Sequence, residues 1–143
     1  MNETRPSRLN KSFMVGISLS GLALFYVFQQ VDYLHFFFAG AFGANTVFIF
    51  NKTFRLVAND LLCVVLIVAL FEKKKYVRVA FLLFAFELVI VMPLYFWIKL
   101  TLEGDSEISL PLLSQIHRLI VNPMLMVILI AGFYYQKYWA SKL

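Results

Sequence analysis

Four long apolar stretches divide the chain, at residues 13–31, 53–71, 76–98 and 110–135, with polar connections between them. Each is close to or above the roughly 20 residues that a helix needs to cross a hydrocarbon layer. The pattern predicts an all-α integral membrane protein, a single domain over 1–143 built as a four-transmembrane-helix bundle. The first stretch follows a basic lead of Arg5, Arg8 and Lys11, the arrangement of a secretory signal. The nearest small-x-small site, Ala39-Gly40-Ala41, lies beyond Gln29, Gln30 and Asp32, so the stretch reads as a retained signal-anchor helix. Residues 32–52 fit less simply. Leu34-His35-Phe36-Phe37-Phe38 and Val47-Phe48-Ile49-Phe50 are oily, but Gly40, Gly43 and Asn45 interrupt them and neither piece can span. An aromatic interfacial segment is expected there, with a re-entrant one as the alternative.

Composition agrees with the pattern. The chain is 62% hydrophobic and 15% charged, with a mean hydropathy of +0.80, whereas soluble domains are about 45–50% apolar and about a quarter charged. The net charge of +5 is read as a topology signal rather than as an affinity for nucleic acid. With both termini cytoplasmic, nine of the thirteen Lys and Arg fall on the inner side, among them the tight Lys73-Lys74-Lys75 turn, and four (Lys52, Arg55, Lys99 and Arg118) fall at or within the outer half. Cytoplasmic loops keep such cations. The connection after the third span is acidic instead, with Glu103, Asp105 and Glu107. Tyr26, Tyr33, Tyr95, Trp97, Tyr134, Tyr135 and Trp139 lie near span ends, where amphipathic rings anchor helices at the headgroups.

The candidate chemistry lies in polar residues that hydrocarbon does not solvate. A charge at a helix centre costs about 2.5–3.5 kcal/mol on insertion scales, so such residues turn inward and pair, or mark a site. On the second span Arg55, Asn59 and Cys63 share one stripe at i, i+4, i+8, with Asp60 one position around. On the fourth, Ser114, Arg118 and Asn122 do the same beside His117, and the third contributes Glu87. Arg55 and Arg118 balance Asp60 and Glu87 in charge. One inward-facing polar cluster is therefore expected, with Asp60 beside Arg55 or Arg118. It serves either as glue between helices or as a site for a partner helix, a membrane lipid headgroup or a peptide. No catalytic constellation is expected: Cys63 between Leu62 and Val64 reads as a small hydrophobe, and His117 as its base would be needed for thiol chemistry. His35 and His117 lack ligand spacing, so neither a metal nor another cofactor is expected. Pro93 and Pro123 remove helical donors to the carbonyls of Val89 and Leu119.

Two stretches carry a family likeness. Asn51-Lys52-Thr53-Phe54-Arg55-Leu56-Val57-Ala58-Asn59-Asp60-Leu61-Leu62 leads into the second span, and His117-Arg118-Leu119-Ile120-Val121-Asn122-Pro123 runs through an apolar stretch to Phe133-Tyr134-Tyr135-Gln136-Lys137. With the length and the four-span layout, the last two thirds of the chain resembles the exosortase F system-associated membrane proteins, small multi-pass proteins of the bacterial inner membrane encoded beside an exosortase. Exosortases are larger multispanning proteins that process sorting signals with Cys, Arg and His, and this chain is too short to be one. The resemblance implies a non-enzymatic accessory or assembly subunit for protein sorting, bound to a larger integral membrane protein such as an exosortase. A small transporter or channel using the charged cluster is the alternative, and it requires a homo-oligomer because four short spans make a poor conduit alone.

Overall fold

The computed structural model describes residues 8–71, 73–102 and 111–140, which are all-helical. Of the charges read for topology, Arg5, Glu103, Asp105 and Glu107 lie outside the described residues, as do Glu72 and Lys142. The elements are α1 (Arg8–Val27), α2 (Tyr33–Phe37), α3 (Ala44–Leu70), α4 (Lys74–Phe86), a π-helical turn (Glu87–Val91), α5 (Met92–Leu102), α6 (Pro111–Val121) and α7 (Met124–Ala140). Three helices are long and apolar enough to cross a membrane: α1, α3, and the continuous run Lys74–Leu102. The pair α6 and α7 meets the same test only when taken together, across a bend of 62°.

Two boundaries differ from the sequence reading. The second helix of the predicted bundle starts at Ala44 instead of residue 53, so Val47–Phe50 belongs to α3 and not to a separate segment. Gly43 caps the helix from an extended conformation, Asn45 falls in the first turn where an unpaired amide is tolerated, and no breaker follows before Phe71. The interfacial expectation shrinks to α2 and the loop after it. Asp32 caps α2 by accepting from His35 N–H, and Asn51 on α3 accepts from Leu34 N–H at 3.0 Å while donating to Asp32 at 3.0 Å. One amide thus pins the short helix onto the long one.

The fourth stretch is broken. α6 stops at Val121 and α7 restarts at Met124, because Pro123 has no N–H to continue the ladder and its ring crowds the preceding turn. Pro93 has a gentler outcome. The turn before it widens, with Met92 N–H donating to Glu87 C=O in the i→i+5 pattern, which carries the helix past the missing donor without a break.

α3 is the central helix, contacting α1, α2, α4, α6 and α7. Its approach to α1 is close at Gly21, where a Cβ would come within 2.9 Å of Leu62. Packing elsewhere falls into two clusters. One, at the end where α3 passes to α4, gathers Cys63, Val64, Ile67, Phe71, Tyr76, Ala80, Met126 and Phe133. The other, toward the opposite end, gathers Leu56, Met92, Tyr95, Leu113 and Ile120.

Candidate functional site: a cationic cleft and a buried carboxyl pair

Arg55 and Asp60 are five residues apart on one helix, which turns their side chains about 140° away from each other. The consequence is that the expected single cluster is two. Arg55 looks toward the junction of α1 and α2. It is 3% exposed, its Nη1 donates to Gln29 C=O at 2.9 Å, and its Nε is buried with no hydrogen-bond partner among the described residues. It lines a cleft of about 690 Å³ shared with Gln29, Gln30, His35, Phe48, Asn51 and Lys52.

Cations accumulate around this cleft. Lys52 Nζ lies 5.7 Å and Lys99 Nζ 4.9 Å from the centre of the Phe48 ring, so one aromatic ring borders two ammonium groups. His117 faces the charges of Lys52 and Arg55, and its Nδ1 is 2.6 Å from the hydroxyl of buried Tyr95. The nearby carboxylate, Asp32, is already engaged. The side chain of Asn51, and then that of His35, hold its carboxyl down to about 2 by hydrogen bonding. The cleft is therefore a basin of positive charge, and one of its lining residues, Arg55, has a buried donor without a partner among the described residues.

Asp60 faces the other way. Its carboxyl and that of Glu87 lie within hydrogen-bonding reach of each other, and both are electrostatic neighbours of the Cys63 thiol. The two acids are 1% and 4% exposed, and Asp60 Oδ2 and Glu87 Oε1 have no donor from any other described group. Carboxylates are acceptors only, so a hydrogen bond between two of them requires a proton on one. Glu87 opens the π-helical turn, and the widened turn brings its side chain to α3. Asn59, on the same turn as Asp60, is buried as well.

The expectation that Asp60 sits beside Arg55 or Arg118 is thus corrected: its partner is Glu87. Arg118 is exposed, because the inward stripe of α6 is Leu113, Ile116, His117 and Ile120, and the next position falls off it. Asn122 is half-buried at the break between α6 and α7, so the Ser114–Arg118–Asn122 stripe is not assembled as one face. Cys63 lies in the apolar cluster and His117 on Tyr95, which places the thiol and the imidazole apart. Among the described residues no three His, Cys, Asp or Glu gather in a metal-holding group.

Sequence reasoning missed Gln29, Asp32, Asn51, Lys52, Tyr95 and Lys99 as parts of a site. The available signal was the Asn51–Lys52–Arg55–Asn59 face of α3 together with Tyr95 and Lys99 at i, i+4 on α5. The residues define an all-helical chain with three or four helices able to cross a membrane, a cationic cleft at one end and a carboxyl pair in its interior. No family model, curated protein or solved structure matches this chain.

Proposed function

We propose that this protein is a non-enzymatic accessory subunit of a bacterial inner-membrane assembly, bound to a larger integral membrane protein, and that its cleft recognises an anionic group at the membrane surface. The observation that carries the reading is Arg55. A guanidinium cannot be neutralised by deprotonation, presents five donors in a fixed fork, and is costly to bury with a donor unpaired. Arg55, whose buried Nε has no partner among the described residues, lines an open cleft together with Lys52, an arrangement that suits an anion. Placing the amino terminus inside, as the distribution of cations directs, opens the cleft on the outer face. The likeness to exosortase F system-associated proteins makes an exosortase-type sorting enzyme the candidate partner.

Purification from the native membrane in mild detergent tests the reading. A stoichiometric larger membrane protein is expected to co-purify, and retention of the isolated chain alone, at every detergent strength, would count against it.

A second reading, a small oligomeric transporter, is favoured by one observation: two carboxyl groups in mutual contact in the bundle interior, one of them on a π-helical turn. Intramembrane acids of this kind mark proton and ion pathways in pumps and transporters. It predicts a homo-oligomer with ion flux in proteoliposomes that Glu87→Gln abolishes.

A further inference from the structure

The cleft at Arg55 has a neighbour of opposite character. Across Val31, which lines both, lies a pocket of about 370 Å³ walled by Leu24, Phe25, Phe28, Tyr33, Phe36 and Phe54. A polar, positively charged basin and an aromatic pocket that share one wall match a molecule with an anionic head and an apolar tail.

Depth points the same way. α3 has 27 residues, about 40 Å at the helical rise, against a hydrocarbon core of about 30 Å. With Leu70 at one boundary, the apolar core ends near Asn51, so Lys52 stands at the interface and Arg55 about one turn beneath it. Phosphate groups of lipids lie just outside the hydrocarbon boundary, on the Lys52 side of the cleft.

The donor arrangement selects among anions. Lys52 and Arg55 are neighbours at i, i+3, a like-charge pairing that disfavours the helix unless an anion lies between them. Arg55 and Lys52 line the cleft from α3, and Gln29 and Gln30 line it from the turn after α1. A carboxylate presents two oxygens in one plane, whereas a phosphate offers oxygens in several directions to donors on more than one side. We infer that the Arg55–Lys52 cleft binds the phosphate of a membrane phospholipid, with an acyl chain in the adjoining pocket between α1 and α2. This assignment rests on the anion-recognition reading above and names the anion.

The test uses the full-length protein in a neutral detergent, with thermal unfolding and native mass spectrometry as readouts. Phosphatidylglycerol is expected to raise Tm in a saturable way and to survive as a one-to-one adduct. Arg55→Gln should weaken this binding about ten-fold, the effect of losing a charge-assisted contact. Should Arg55→Gln fail to accumulate, Lys52→Gln, at a half-buried position, is expected to weaken it about three-fold. Equal stabilisation by inorganic phosphate alone would overturn the lipid source, and equal stabilisation by laurate would overturn the phosphate assignment, both leaving anion recognition in place. No response to any of the three probes would remove the inference and the recognition reading together.

Discussion

Where α3 passes to α4, Phe71, Tyr76 and Phe133 meet ring to ring, with centroids 4.6 to 5.7 Å apart. Lys137 covers the group from outside, its Nζ 5.8 Å from the Phe71 ring. At the opposite end, where α1 returns through α2 into α3, the space holds Arg55, Lys52, Asn51 and the cleft between them. The first end is closed by dispersion and aromatic geometry, and its Lys decorates a finished surface. The second buries a guanidinium and leaves Nε unanswered. Hydrophobic burial supplies little drive between helices in a bilayer, so packing and polar contacts decide which helices associate. An end that packs its aromatic rings well is complete by itself. An end that buries a charge beside open space keeps a donor that the proposed anion would engage.

Several substitutions would break or sharpen this contrast. The largest effect is expected at the packed end: Phe133→Ala should cost about 3 kcal/mol of stability in detergent unfolding, from lost contacts and the cavity left behind. A negligible cost would mean that the aromatic cluster does not close that end. The carboxyl pair comes next. Glu87→Ala should cost about 1–3 kcal/mol by leaving Asp60 without a partner, while Glu87→Gln, which keeps a donor, should cost less than half as much. Equal losses would show that an isosteric amide donor cannot stand in for the carboxyl, so that neither its shape nor a donor alone holds the pair.

At the open end, Asn51→Ala removes the acceptor for Leu34 N–H and the donor to Asp32. A cost of about 1 kcal/mol is expected, read as faster hydrogen exchange across α2. Unchanged exchange would mean that α2 is held by its rings alone. Acid should loosen the same joint. The carboxyl of Asp32 is lowered from the usual 3.8 to about 2 in the folded chain, so its capping contribution is present above pH 4 and is lost as the pH falls toward 2. Exchange at His35 N–H, followed from pH 6 downward, should rise only over that window. Arg118→Ala should have the smallest effect, within about 0.5 kcal/mol, because the side chain is exposed. A loss comparable to that of Glu87→Ala would restore Arg118 to an internal ion pair.

How far the sequence carried the fold depended on the kind of feature. Helices over the apolar runs were legible because a 20-residue apolar stretch has few alternatives. The start of α3 was not, since Gly43 and Asn45 read as interruptions when one of them is a cap and the other occupies a first turn. Pro93 and Pro123 carry the same local penalty, yet one yields a π-helical turn and the other a 62° break. Their neighbours, and not the prolines, decide. That Asp60 and Glu87 would turn inward follows from the cost of charge in hydrocarbon. Their mutual pairing does not, because it requires the rotational setting of two helices. The cleft was least visible of all: Gln29 and Arg55 are 26 positions apart, and only the return through α2 brings them together.

Arg55 and the two acids occupy separate sites, and a pair of double-mutant cycles on unfolding free energy measures that separation directly. Asp60→Ala with Glu87→Ala should couple by about 1 kcal/mol or more, as contacting groups do, while Arg55→Ala with Asp60→Ala should add to within about 0.5 kcal/mol. Strong coupling between Arg55 and Asp60, with additivity between Asp60 and Glu87, would contradict it.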